Sequence, residues 1–575
     1  LGARLFTLQG MEAQALQEKA KSQWTRASVI TPRRGAIYDR TGQTLAISAT
    51  AYIASASPRQ IADPAQFARL LAPILNTEAA TLQKRVSDRS KGGVILKRQI
   101  PTEIAAQLRT MMAQHRAAGS EALSGLYIEE DARRYYPMGD FACQLIGLTT
   151  IDGVGQSGLE KSLDEYLTGQ PGRILDEIDG KGRALETGAR EYVPSVDGAS
   201  VILTIDAGVQ AIVEQAAREA MTVNGAKAVR ILVMDPSTGE ILAMCVKPAF
   251  DLNEPPRDDV PALNDMMRNR LIADAYEPGS TFKILTTAAA LDCGATHVGE
   301  GFYCSGSTVV EGGRIRCWGK PHGAQTMAKA LQNSCNPVFV ELGLRLGVER
   351  FYKYLGGFGL GKKTGVDIAG EGGGILIPEA KCKRVDIARI GFGQSVALTP
   401  LQLLTAASAA VNGGNLLAPY VVKEVVSPEG ESLHTGQVRC VSRPISEKTS
   451  AVMRKLLEDV VTHGGGKNAY LKSFRVGGKT GTAQLYRDGV IAADTHIGSF
   501  LGFAPMDDPK VAVLVIIDEA RLRPDFGSIT AAPFAKQILE RTLIHLGFAP
   551  TGETSAEIKK VSVTQTTGMK TKEAL

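Results

Sequence analysis

The feature that most restricts what this chain can fold into is the placement of its strand-forming runs. Ile231 to Asp235 and Glu240 to Val246 flank Pro236-Ser237-Thr238-Gly239, a turn sequence, and so form a hairpin. A second pair, Gly498 to Phe503 and Val511 to Ile517, comes far downstream. Helices bracket the two pairs. Behind a strand candidate at Val201 to Ile205, the residues Val209, Ile212, Val213, Ala216, Ala217, Ala220 and Met221 recur at helical spacing, and Ala532 to Leu546 reads as a closing helix. This order predicts an α+β domain with one antiparallel sheet between helices.

A chain of 575 residues is too long for one core. Four segments are expected: 1–25, a polar helical stub; 26–195, an N-terminal α/β domain; 196–547, the α+β domain; and 548–575, a linker running into a further module. In the second segment, Tyr38-Asp39-Arg40-Thr41-Gly42 reads as a turn between strands, Asp63 to Ala122 as helical, and Gly147 to Gly172 as glycine-punctuated. No chemistry-bearing motif stands out there. Leu1 to Leu8 reads either as the outer end of a membrane anchor or as a frayed helix, and no run of about 20 apolar residues is present. A formal charge of +5, from 65 basic and 60 acidic residues, argues against a nucleic-acid partner.

The chemistry sits in Tyr276-Glu277-Pro278-Gly279-Ser280-Thr281-Phe282-Lys283, which leads into the apolar run Ile284 to Leu291. Pro-Gly opens the helix, and residues three apart share a helical face, so Ser280 and Lys283 can meet on its first turn. A buried lysine with a lowered pKa can act as base, and the helix N-terminus adds positive potential around the nucleophile. Alone, Ser-x-x-Lys is a weak pattern. Two companions follow in order: Ser334-Cys335-Asn336, and Gly477-Gly478-Lys479-Thr480-Gly481-Thr482-Ala483 on a strand candidate. That trio is the pattern of penicillin-binding proteins and class A β-lactamases, with Cys335 standing where Asp is usual. Ser334 can relay a proton between Lys283, Lys479 and a leaving amine, and Asn336 can hold an acyl-side amide. Lys479 with Thr480, Gly481 and Thr482 can bind a substrate carboxylate, and the backbone N–H groups of Ser280 and Thr482 suit an oxyanion hole.

Over most of its length the chain resembles the class B penicillin-binding proteins, the peptidoglycan D,D-transpeptidases of sporulation and division. Arg34 to Arg40, Gly158-Leu159-Glu160 and Tyr166 to Gly169 resemble marks of that family's N-terminal pedestal, or dimerisation-type, domain. Asp235 to Ala243, Gly391-Phe392-Gly393-Gln394 and Thr399-Pro400-Leu401-Gln402 resemble marks of its transpeptidase domain. Val563 to Leu575 resembles the opening of a PASTA module, with Thr564-Gln565 in place of the usual Pro-Asp. The resemblance implies a single-pass membrane anchor with an extracytoplasmic catalytic domain. It implies attack by Ser280 on the D-Ala-D-Ala carbonyl of a stem peptide, transfer of the acyl group to a neighbouring amine, and acylation by β-lactams. It also implies a separate glycan polymerase as partner, since no paired-glutamate glycosyltransferase site is recognisable in the first 195 residues. No cofactor is required for that reaction. The competing readings are a carboxypeptidase or β-lactamase, for which no deacylating glutamate can be assigned, and a non-catalytic scaffold or β-lactam sensor.

Of the eight cysteines, Cys143, Cys245, Cys293, Cys382 and Cys440 show no close pair and are mostly expected as buried small hydrophobes. Cys304, Cys317, His322 and Cys335 differ, since three thiols and an imidazole suit tetrahedral zinc. Some elongation-type relatives carry a metal in the corresponding stretch. Zinc, a Cys304 to Cys317 disulfide across a hairpin through Val309 to Arg314, and unlinked side chains are all open at this point.

Overall fold

A computed structural model describes residues 25–177, 190–487 and 490–550. The expected N-terminal stub up to Trp24 and the expected PASTA-like opening at 563–575 lie outside them. The expected antiparallel sheet has five strands, in the order Ile241–Lys247, Ala228–Met234, Val511–Asp518, Val490–Ala504 and Gly477–Arg487. The early hairpin therefore meets the late pair directly, with Ile231 opposite Val515 and Leu232 opposite Leu514. The strand that carries Lys479 takes one edge.

Alternation along the strands sorts their side chains onto two faces. Ile231, Val233, Val513 and Val515 pack with Val209, Val213, Ala216, Ile538 and Leu539 from the helices Ala207–Asn224 and Ala532–His545. Leu232, Met234, Leu514 and Ile516 pack on the other side with Phe282, Leu285, Ala289 and Leu456. Both faces are covered, which explains why Val511 to Ile517 reads as an unbroken apolar run rather than an alternating one. Each fully buried Leu or Ile is worth about 1.5–3 kcal/mol, so this layer is a stiff mount for the site.

The N-terminal domain is built on the strand Thr44–Ala56, which pairs with both Val94–Ile100 and Leu126–Tyr135. The helices Pro64–Leu75, Ala79–Val86 and Thr102–Ala117 cover it through Phe67, Leu71, Leu82 and Leu108. The continuous helical stretch expected from Asp63 to Ala122 is thus interrupted by a strand. Lys97-Arg98-Gln99 lies on that strand's half-exposed middle, and its polarity hides the two-residue period.

The two domains share a sheet. Ile37–Tyr38 lies parallel to Ser200–Leu203, which pairs in turn with Val422–Val426. The turn at Tyr38 to Gly42 does more than join strands. Fully buried Asp39 accepts hydrogen bonds from Thr41 N, Thr41 Oγ1 and Gln43 N, and across the domain junction from Ala207 N at 2.9 Å, at the start of the helix that Asp206 caps. Arg40 pairs with Glu240 at 3.1 Å. Arg34 and Arg134 both clasp buried Glu160 at 2.6 Å, which unites two segments that had only their family resemblance in common.

Candidate active site

Ser280 lies on a 3-10 turn, Gly279–Phe282, that runs directly into the helix Lys283–Asp292. Gly279 holds a φ of +54°, and a Cβ there would lie 3.1 Å from the Thr482 carbonyl oxygen. Only a glycine brings the Ser280 turn this close to the strand Gly477–Arg487 without strain. Gly279 N also donates to Gly393 O at 3.1 Å, which gives the Gly391-Phe392-Gly393-Gln394 segment its place.

The expected meeting of Lys283 with Ser280 takes a different form. Lys283 Nζ donates to Ser334 O at 2.7 Å, Asn336 Oδ1 at 2.7 Å and Ser334 Oγ at 3.2 Å, so all three of its acceptors belong to the second motif. Three acceptors match the three donors of an ammonium. Burial first, and then the charge of Lys479, nevertheless hold Lys283 well below the ordinary lysine range, against an opposing pull from Cys335 and Cys317. Lys479 Nζ donates to Ser334 Oγ at 3.0 Å from the other side, and burial brings it down to about 7.

Ser334 is the hub of the arrangement and sits in a left-handed conformation, φ +55°. It follows the C-cap of the helix Met327–Gln332, where Ser334 N bonds to Leu331 O and Cys335 N to Ala330 O. Glycine usually fills such a position, and a serine there stores strain of order 1–3 kcal/mol. Its hydroxyl is the one group placed to touch both lysines. The next helix starts at Asn336, whose Nδ2 donates to Arg316 O at 3.1 Å.

On the edge strand, Gly481 pairs with Ser499, and a Cβ at Gly481 would lie 2.4 Å from Ser499 Oγ and 3.0 Å from Thr281 Cγ2. Thr482 Oγ1 accepts a hydrogen bond from Gly527 N at 3.3 Å. Ser280, Ser334, Asn336, Thr480 and Thr482 all line one cleft of about 980 Å³. Trp318 and Phe526, which the sequence did not single out, meet edge-on across it with ring centroids 6.4 Å apart, and Trp318 Nε1 donates to Asn333 O. Both are exposed on loops, and their sequence signal is no more than the scarcity of aromatics, 6% of the chain.

Cys304, Cys317, His322 and Cys335 come together behind the cleft, with all four ligand atoms within 4.8 Å of one another. Cys304 ends the strand Gly301–Cys304, Cys317 follows the strand Gly313–Arg316, and His322 precedes the strand Gly323–Thr326. No sulfur bridge links Cys304 to Cys317; both are free thiols in the apolar core. A tetrahedral ion with Zn–S bonds of ~2.3 Å separates its ligands by about 3.7 Å, so these residues fit zinc. Cys317 is brought below the usual thiol range, first by the Cys335 thiol donating to it, and the same contact pushes Cys335 up. Of the other cysteines, Cys143 and Cys245 are buried as expected, Cys293 and Cys382 are partly so, and Cys440 is exposed.

The family model for the penicillin binding protein transpeptidase domain matches residues 229–540, and that for the penicillin-binding protein dimerisation domain matches residues 29–203. The chain is 39% identical to stage V sporulation protein D of Bacillus subtilis over 96% of its own length and 84% of that protein's. It is 30% identical to the probable peptidoglycan D,D-transpeptidase PenA of Neisseria meningitidis, covering 97% of this chain and 93% of that one. Among solved structures it resembles penicillin binding protein 3 of Mycobacterium tuberculosis in complex with aztreonam, with a TM-score of 0.69 at 25% identity over 91% of this chain and 98% of the other. Penicillin binding protein 2X of Streptococcus thermophilus shares the fold, with a TM-score of 0.73 at 24% identity, over 91% and 80% of the two chains. With its pedestal, its five-stranded sheet and its three motifs converging on one cleft, the chain belongs to the class B penicillin-binding proteins, the peptidoglycan D,D-transpeptidases.

Proposed function

We propose that this transpeptidase cross-links stem peptides through an ester on Ser280, and that the observation carrying this assignment is the single hydroxyl of Ser334 held between Lys283 and Lys479. Neutral Lys283, three residues along the turn, takes the Ser280 proton as Oγ attacks the carbonyl of the penultimate D-Ala. The C–N bond to the terminal D-Ala breaks, and the proton passes through Ser334 to the leaving amine. An amine of a second stem peptide then attacks the ester, and Ser280 departs as the alcohol after regaining a proton by the same route. The backbone N–H groups of Ser280 and Thr482 stabilise the oxyanion, each donor of this kind contributing roughly 3–4 kcal/mol in the transition state. Lys479, Thr480, Gly481 and Thr482 hold the terminal carboxylate, and Asn336 holds the acyl-side amide.

β-Lactams acylate the same serine. The setting is extracytoplasmic wall synthesis in division or sporulation, beside a glycan polymerase. No described helix is long and apolar enough to cross a membrane. Fluorescent penicillin labelling tests the assignment: wild type is labelled stably and Ser280→Ala is not. An unlabelled wild type would sink the enzyme reading, and rapid loss of the label would favour a hydrolase.

We assign a structural zinc to Cys304, Cys317, His322 and Cys335, supported by the convergence of four donors of the right chemistry. When bound, the ion would hold Cys335 as thiolate and so restrain the flanking Ser334 and Asn336. Metal analysis of protein purified without chelator, with thiol counting, checks this; no metal with three reactive thiols at these positions would remove the assignment.

A further inference from the structure

The cleft that holds Ser280 is lined by four cations that form no salt bridge among the described residues, Arg314, Arg316, Arg389 and Lys467, of which Arg389 is near enough to Glu277 for their charges to interact. The other basic groups on its wall, His463 and His496, each have a carboxylate neighbour, Asp459 at 3.5 Å and Asp525 at 3.0 Å. The lining holds one carboxylate, Glu277. It accepts from Ser395 N at 3.0 Å, and burial raises its pKa against the opposing pulls of that hydrogen bond and of the Arg389 charge.

Arg314 and Arg316 are the best positioned of the four. They alternate with Ile315 on the strand Gly313–Arg316, so both project from one face while Ile315 packs on the core. The partner strand Ser307–Val310 fixes them, with Ser307 opposite Arg316 and Val309 opposite Arg314. The Arg316 carbonyl is held by Asn336 Nδ2, so the hairpin is tied to the reacting centre itself.

We propose that Arg314 and Arg316 form a second anion subsite, which selects substrates bearing a carboxylate besides the terminal one held by Lys479, Thr480 and Thr482. This rests on the transpeptidase reading above and deepens it by naming a specificity determinant. The carboxylate comes from either of two sources: the accepting peptide, where it stands beside the attacking amine, or the side chain of the donor peptide. Guanidinium forks suit either.

The full chain is acylated with a D-alanyl thioester, and capture of the acyl group is compared for D-alanine and D-alaninamide as acceptors. In a second arm the acyl donors carry an N-terminal succinyl or acetyl group, and acylation rates are compared. Wild type favours the carboxylate-bearing reagent in one arm. Arg314→Ala with Arg316→Ala lowers that preference about ten-fold or more, as expected for loss of charged hydrogen bonds, and Arg→Lys at both positions restores part of it. The arm that responds identifies the source. Equal preference in wild type and the alanine variant in both arms overturns the subsite. A wild type that the thioester does not acylate at Ser280 overturns the transpeptidase reading instead, and the subsite with it.

Discussion

Ser334 Oγ lies 3.0 Å from Lys479 Nζ, and it does so from a backbone conformation that serine rarely adopts. The same oxygen is 3.2 Å from Lys283 Nζ. Position and hydroxyl thus make opposite demands: the left-handed φ favours glycine, whereas the lysines need an oxygen.

These demands separate on substitution. Ser334→Gly relieves the backbone and is expected to stabilise the fold by about 1 kcal/mol relative to Ser334→Ala, in which the strain persists. Both variants lose the bridge, and acylation by penicillin should fall by roughly two orders of magnitude or more in each. Denaturant unfolding beside stopped-flow acylation checks the pair; equal stability of the two variants would contradict the strain.

Lys479 gives the fold a pH dependence of definite sign. In the unfolded chain it keeps its proton to about 10.4, whereas burial lets the folded form release it at about 7. Between those values the unfolded state binds more protons, so stability rises with pH. Melting temperature should climb from pH 7 toward pH 10, and Lys479→Met should flatten that slope. A wild-type profile that falls over this range would refute the burial argument.

Asp39 is the anchor of the domain junction. Replacing it by alanine strands the buried Ala207 donor, which costs about 1–3 kcal/mol when unsatisfied, and removes the acceptor that orders the exposed turn at Thr41 and Gln43. Asp39→Ala should therefore unfold at distinctly lower denaturant, by 2 kcal/mol or more in stability, although it lies outside the cleft. Proteolysis near residues 195–207 reports the loosened junction.

If zinc occupies the cysteine cluster as assigned, a strong chelator should remove about one equivalent, lower the melting temperature and slow acylation at Ser280 together, because Cys335 sits between Ser334 and Asn336. Cys304→Ser should reproduce the loss of metal. Retention of full metal by that variant would remove Cys304 from the ligand set.

The strand order was legible because Ile231 to Val246 and Gly498 to Ile517 carry turn residues and apolar runs that speak for themselves locally. The trio of motifs was legible because its chemistry needs fixed spacings within short segments. Other features depend on contacts between distant residues, and no local pattern encodes them. Asp39 looks like a turn aspartate until Ala207 is brought to it, and Glu160 shows no reason for its burial until Arg34 and Arg134 arrive. The route of Lys283 to Ser334 and Asn336, rather than to Ser280, follows from how two helices abut. The strand Val94–Ile100 was missed because its charged centre masks its period. Arg314 and Arg316 are ordinary charges in sequence and acquire meaning from the cleft beside them.

The sheet shared by the two domains bears on how this enzyme can be divided. A catalytic fragment cut at residue 196 would retain Ser200–Leu203 and lose Ile37–Tyr38, its parallel neighbour. The freed edge would present backbone donors and acceptors next to Val201 and Leu203, both buried in the intact chain. Such an edge invites a strand from another molecule. A soluble catalytic half therefore has to carry the short segment around Asp39 with it, or insolubility of the fragment would be mistaken for a defect of the active site.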